Sequence, residues 1–240
     1  MRNPGGKSPF LLIGDHAGCE IPAVLADLGL PTSEITRHIG WDIGVAQLGA
    51  QLAEALDGCF IAQRFSRLVI DCNRDPARPD AICDVSDATP IPGNAVLSQA
   101  DRQARIDQVF APYHRRIETE LTARAAGGQP TVLVALHSFT PVMAGQARPW
   151  RYGVLHLGAS AFSNAVLARL RERLGPAVVG DNQPYEMDDT DYTVPHHAVA
   201  RGLDYVEIEV RQDLLADAAG VHAAADLLAP VLRDALAGLP

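Results

Sequence analysis

Short apolar runs alternating with helical patterns predict an α/β fold built on a mostly parallel sheet. Two further observations point the same way. Residues 131–137, "TVLVALH", are apolar until the final His137, as expected of a central strand covered on both faces. Four segments place apolar residues at the 3.6-residue period of amphipathic helices. With 240 residues, 48% of them hydrophobic, the chain can bury a full core as one domain spanning 1–240.

In chain order, the first strand candidate is 10–14, "FLLIG", which breaks at Gly14 into Asp15 and His16. A helix over 43–57 follows, with the stripe Val45, Leu48, Leu52 and Leu56. Residues 59–63 and 67–71 are short apolar runs that read as strands. Residues 73–95, rich in Pro, Asp and Gly, form a long loop of the kind used for binding. The helix over 101–121 carries Ile106, Val109, Phe110, Tyr113, Ile117 and Leu121, with Ser98 or Asp101 as its cap. After the strands 131–136 and 152–157 comes a helix marked by Phe162, Val166, Leu167, Leu170 and Leu174, closed by Gly175 and Pro176. Strand 177–180, a second polar loop over 181–197 and strand 204–210 lead to the last helix, marked by Val221, Leu228, Val231 and Leu232.

The net charge is −9, with no basic run or stripe, which speaks against a nucleic-acid or anionic-membrane surface. No apolar stretch approaches 18 residues, so no membrane span is expected. The N-terminal "MRNPGGKSP" has no apolar signal core. The four cysteines show no C-x-x-C spacing, and Cys59 and Cys72 sit in apolar runs as core residues. A reduced cytoplasmic protein without disulfides is the expectation.

Polar groups collect where strands end. Asp15 and His16 follow the first strand; Asp71, Cys72, Asn73 and Arg74 follow "RLVI"; His137 ends "TVLVAL". Glu207, Glu209 and Arg211 alternate along "DYVEIEVR" and therefore share a face. Ligands of open α/β sheets bind beyond the carboxyl ends of parallel strands. Two imidazoles and a carboxylate are the usual nitrogen-and-oxygen set for zinc, whose catalytic sites keep a further position open. Plainer readings stand beside this one. A single strand-end histidine is more often a cap or a satisfied core residue, Asp42 can be the N-cap of helix 43–57, and the alternating charges can be a solvated strand face.

"DHAGCEIP", "WDIG", "SRLVIDCNRDP", "PYH", "LHSFTP" and "VEIEVRQDL", in that order, resemble the N-formylglutamate amidohydrolase family over nearly the whole chain. The resemblance implies a three-layer α/β/α sandwich around a mostly parallel mixed sheet, akin to zinc carboxypeptidases and aspartoacylases. It also implies one zinc ion, or another divalent metal, held by His16 and His137. Cys19 stands where carboxypeptidase-like proteins carry a ligand glutamate; the family's recurring acid lies instead in the "WDIG" segment, so the resemblance implies Asp42 as the third ligand, with Glu20 in reserve. By the same resemblance Glu209 is the general base, Arg67 polarises the scissile carbonyl, and Asn73 with Arg74 grips a substrate carboxylate. His114 and His197 match recurring family positions. His197, with Tyr185 and Tyr192, is expected to line the substrate site, and Arg211 is a further substrate-binding candidate. The implied activity is hydrolysis of the amide of an N-formyl or N-acyl acidic amino acid, typically N-formyl-L-glutamate to formate and L-glutamate. Its partner is thus a small molecule. Two other classes stay open: a binding protein whose metal site has decayed, and a thiol hydrolase using Cys19 with His16.

Overall fold

In the computed structural model, which describes residues 1–158 and 160–239, six apolar runs pair side by side. They are β1 (Phe10–Gly14), β2 (Cys59–Ala62), β5 (Val132–Phe139), β8 (Tyr152–Leu155), β9 (Val179–Asp181) and β10 (Asp204–Arg211). Two short hairpins, β3 (Val85–Ser86) with β4 (Thr89–Pro90) and β6 (Val142–Met143) with β7 (Gln146–Ala147), stand apart from this sheet. The strand order is β2-β1-β5-β10-β8-β9, and β10 with β8 is the antiparallel pair.

The helices are α1 (Thr32–Ile35), α2 (Val45–Leu56), α3 (Gln99–Arg105), α4 (Ala111–Ala126), α5 (Ala161–Leu174), α6 (Thr193–His197) and α7 (Ala218–Ala237). Strand side chains alternate in direction, and the two faces build two cores. Leu12, Val134 and Ile208 meet α2, α5 and α7 through Leu48, Leu170 and Leu228. Leu11, Ile13 and Leu133 meet α4 through Ile117 and Leu121. The result is the expected three-layer α/β/α sandwich. All eight residues of β5 are buried, which accounts for its unbroken apolar run.

Three local expectations are corrected. Residues 67–71 are not a strand but a buried turn, in which Val69 N–H bonds to Ser66 O. Leu68, Val69 and Ile70 are apolar because they are buried in the second core, with Ile82, Ile91 and Phe110. Side chains replace the missing sheet partners: Arg105 Nη1 donates to Val69 O (2.9 Å) and Asn94 Nδ2 to Leu68 O (2.9 Å). Asp42 does not cap α2. The cap is Gly44 at φ 84, a conformation costly for other residues, with Leu215 against the space a Cβ would fill. The helix expected over 101–121 runs from Gln99 to Ala126 with a π turn at Ile106–Phe110. That turn sits just ahead of Pro112, which has no N–H to continue the regular ladder. Ser98 caps this helix, and Asp101 bonds back to it.

Gly49 of α2 presses on β2: an added Cβ would lie 2.3 Å from the Phe60 ring, itself buried. Alanine normally favours a helix over glycine by about 1 kcal/mol, but overpacking a fixed ring costs about 1–3 kcal/mol. Gly49→Ala should therefore lower the midpoint of chemical denaturation; a raised midpoint would show that this contact is loose.

Candidate active site

A cavity of about 610 Å³ opens beyond the carboxyl ends of β1, β5 and β10. His16, Asp42, Arg67, Asn73, Arg74, His137 and Glu209 all line it. Both irregular loops wall it as well, through Cys83 and Val85 on one side and Tyr185 and Asp191 on the other.

The floor is built around Asp42. Freed from capping by Gly44, its carboxylate turns inward, where Oδ2 lies 2.9 Å from His137 Nδ1 and 3.5 Å from His16 Nδ1. Ser138 N–H also donates to Oδ2 (3.2 Å). His16, Asp42 and His137 are all buried, and each can place one donor atom within 4.8 Å of the others. The two rings lie 5.0 Å apart at 66°. Each imidazole turns its outer nitrogen toward a second carboxylate: His16 Nε2 is hydrogen-bonded to Asp71 Oδ1 at 2.7 Å, while His137 Nε2 faces Asp15 Oδ2 at 3.4 Å without a hydrogen bond. Histidines that bind metal are ordinarily held this way, the outer partner fixing the ring and its tautomer. His16 Nδ1, which faces the centre, has no hydrogen-bond partner.

Electrostatics favour positive charge at this point. Burial, and Arg67 beside His16, oppose protonation of the imidazoles, yet Asp71 and Asp42 raise His16 above the ordinary range. For His137, Glu207, Asp15 and Asp42 likewise outweigh burial. Burial also opposes ionisation of Asp42, but the two imidazoles hold its carboxyl low. Two nitrogens and an ionised oxygen, converging in a field that attracts cations, fit a divalent metal such as zinc.

Around the floor, Arg67 donates through Nε and Nη2 to Asp71 Oδ2 (3.0 and 2.7 Å), and its Nη1 lies 3.7 Å from Asp42. Glu209 pairs in register with His137 across β10 and β5. Glu207 and Glu209 both line the cavity, and the Oε2 of each is enclosed without a hydrogen-bond partner. Burial pushes both carboxyls up to about 8. Asn73 uses its whole amide in place: Nδ2 donates to Asp191 Oδ1 (3.0 Å), and Oδ1 accepts from Tyr192 N (3.0 Å) and Thr193 N (2.9 Å). Arg74 Nη1 donates to Asn73 O (2.9 Å) and lies 3.4 Å from Asp191.

Five expected participants lie elsewhere, among them Tyr192, which does not line the cavity and packs against His114. His197 is fully buried and does not line the cavity; it stacks on His114, with 2.9 Å from its Nε2 to His114 Nδ1. Because His114 Nε2 donates to Cys72 O (2.9 Å), its Nδ1 must accept, and His197 Nε2 donates to it. The two rings thus brace the Asp71–Arg74 segment from behind. Arg211 is committed to Asp213 (2.7 Å) and to the carbonyls of Arg148 and Trp150, away from the cavity wall. Glu20 is exposed and pairs with Arg64 at 2.6 Å. Cys19 does not line the cavity, and burial pushes its thiol up, the reverse of what a nucleophile needs.

Sequence reasoning left Asp15 and Asp191 without roles. Asp15 sits beside His137 and accepts from Thr193 Oγ1 (2.9 Å), a residue 178 positions away. The Asp–His pairing of "GDH" was visible, but its real partner, on another strand, was not.

Comparison with known proteins agrees with this architecture. The family model for N-formylglutamate amidohydrolase matches residues 8–216. The crystal structure of a gene product from Agrobacterium tumefaciens superposes with a TM-score of 0.94 at 36% identity, covering 98% of this chain and 93% of that one. N-formylglutamate amidohydrolase from Ralstonia eutropha superposes with a TM-score of 0.68 at 19% identity, covering 98% and 97%, a likeness of fold. No functionally curated protein matches the chain by sequence. Among the described residues, no helix is long and apolar enough to cross a membrane.

Two predictions follow from the geometry. His137→Ala should abolish tight binding of a divalent metal in equilibrium dialysis. Asp71→Asn, which changes the partner of His16 Nε2 and also loosens the Arg67 pair, should weaken it by about 10–100-fold; wild-type affinity in Asp71→Asn would remove the orienting role. The second concerns pH. Burial pushes His114 down to about 4, and burial with repulsion from His114 takes His197 down to about 3. The unfolded chain binds these protons near pH 6.5, so stability falls as pH drops below that value, each histidine contributing up to about 1.4 kcal/mol per pH unit. In denaturation curves between pH 6.5 and 4, the double variant His114→Phe with His197→Phe should lose stability less steeply than wild type. Parallel losses would mean the pair is not held neutral.

Proposed function

The chain belongs to the N-formylglutamate amidohydrolase family, and on that premise we propose that it is a metal-dependent hydrolase of the linear amide in N-formyl or N-acyl amino acids. The observation that carries this reading is the convergence of His16, Asp42 and His137 within 4.8 Å, on the floor of a cavity that also holds Glu209 and two arginines. His16, Asp42 and His137 would hold a divalent ion, which would supply Lewis acidity toward the amide carbonyl and lower the pKa of water toward neutrality.

The chain's own groups carry the remaining steps. Glu209, in register with His137, takes a proton from the attacking water as its oxygen bonds to the carbonyl carbon. It then delivers that proton to the nitrogen as the carbon–nitrogen bond breaks, giving a carboxylate and a free amine. A carboxyl with its pKa raised to about 8 is well matched to exchanging a proton near neutrality. Arg67 spends Nε and Nη2 on Asp71, which leaves Nη1 to face the developing oxyanion. One such donor is typically worth about 3–4 kcal/mol of barrier. Arg74, anchored through Nη1, presents Nη2 to the α-carboxylate of the substrate. Asn73 contributes by holding the 190–193 wall rather than by touching substrate. Neither rival gains from the geometry. Cys19 is outside the cavity, and its replacement of a ligand glutamate leaves a complete three-residue set through Asp42.

Metal-loaded protein should release formate from members of a panel of N-formyl amino acids. Glu209→Gln should lower kcat by about 10²–10⁴-fold while retaining the metal. Wild-type kcat in Glu209→Gln would displace it as the base, and no hydrolysis of any member would refute the amide-hydrolase reading.

A further inference from the structure

We propose that Glu207 forms a subsite for a cationic group on the substrate, so that the preferred substrate is an N-acyl amino acid with an ammonium or guanidinium side chain rather than the dianionic N-formyl-L-glutamate. The proposal rests on the amide-hydrolase reading and narrows its substrate class.

Three observations carry it. The first is Glu207 itself. It is 3% exposed, it faces the cavity, and its Oε2 is enclosed with no hydrogen-bond partner among the described residues. An unpaired buried carboxyl is costly and persists where something else completes it. Glu209, in the same condition, has a proton to carry; Glu207 has no part in that chemistry.

The second observation is charge. Carboxylates outnumber arginines nine to two among the lining residues. Both arginines are already engaged: Arg67 with Asp71 at 2.7 Å and Asp42 at 3.7 Å, Arg74 with Asp191 at 3.4 Å and Asp80 at 3.9 Å. Asp80 and Asp87 are paired in turn by Arg78 (2.9 Å) and Arg37 (2.7 Å) from behind the wall, which leaves Glu186, Asp188 and Glu207, besides Glu209, as carboxyls without an arginine among the described residues. Arg74 still has Nη2 for one α-carboxylate, but no further arginine lines the cavity for a second: Arg148 stands behind the wall, its Nη1 held by Tyr185 Oη (2.9 Å). A glutamate side chain would meet Asp191 with like charge, whereas a cation would favour the ionised form of Glu207 and complete it.

The third observation is shape. Leu155 on β8 pairs in register with Glu207 and also lines the cavity, an apolar surface beside the carboxylate. Methylene stems lie along apolar walls of this kind while their charged ends reach a partner. Glu207 and Glu209 sit two residues apart on β10, about 6.6 Å along the strand. That separation suits a side chain extending from the amide at Glu209 toward Glu207.

The test is calorimetric binding of Nα-formyl-L-lysine, N-formyl-L-norleucine and N-formyl-L-glutamate to zinc-loaded Glu209→Gln protein, with turnover of the same three by zinc-loaded wild type. The lysine derivative should bind about tenfold or more tighter than the norleucine one, the scale of a hydrogen bond to a charged group, with the glutamate derivative weakest. Adding Glu207→Gln should bring lysine and norleucine derivatives within about twofold of each other; norleucine binding reports in the same sample that the variant is folded. An unchanged lysine advantage in that variant, glutamate binding as tightly as lysine, or no binding of any of the three overturns the subsite. Turnover without the preference would sink the subsite alone, and the preference without turnover would sink the hydrolase reading alone.

Discussion

The carboxylate of Asp42 lies between two imidazoles in the interior, 2.9 Å from His137 Nδ1 and 3.5 Å from His16 Nδ1. Placing an ionised carboxylate there costs several kcal/mol unless opposite charge and hydrogen bonds compensate. The surrounding structure is arranged to provide them. Gly44 starts α2 in a conformation that needs no side-chain cap, so Asp42 is free to turn inward. β1 and β5 are direct neighbours, so His16 beyond one and His137 on the other meet over Asp42. Asp71 then fixes the outer nitrogen of His16, and the Asp15 carboxylate faces that of His137 at 3.4 Å.

From that centre the architecture of the cavity follows. Asp71 must stay beside His16, and it lies in a turn that no sheet partner supports. Arg105, Asn94 and the His114–His197 pair supply the missing support from outside the cavity, each bonding a backbone carbonyl of this segment directly or through its neighbour. Asn73 and Arg74 tie the same turn to the 190–193 loop. The side chains that build the wall are thus largely spent on one another. What remains for a substrate is small: Arg67 Nη1, Arg74 Nη2 and the two carboxyls of β10.

Much of this was legible in the amino-acid order because it is local. Alternation of runs gave the strands of the sheet, the unbroken apolar stretch marked β5 as central, and two long polar segments marked the loops that wall the cavity. His16 and His137 stood out because each adjoins a strand end; Asp42 entered beside them only through the family resemblance. The failures have physical causes too. "RLVI" is apolar because it is buried in the second core, and a short buried turn has the same signature as a short buried strand. Asp42 looked like a cap because an acid just before a helix usually is one; the positive φ of Gly44 decides otherwise. His197 and Arg211 carry groups suited to a substrate, but only tertiary contacts reveal that His114 and Asp213 already use them.

The central claim is that one cation is shared by His16, Asp42 and His137. Crystals grown with zinc and measured on either side of its absorption edge test it most directly. An anomalous difference peak bounded by the Nδ1 atoms of His16 and His137 and the carboxylate of Asp42 is the predicted result. A zinc peak elsewhere, or none while both rings still rest on Asp42, would contradict it.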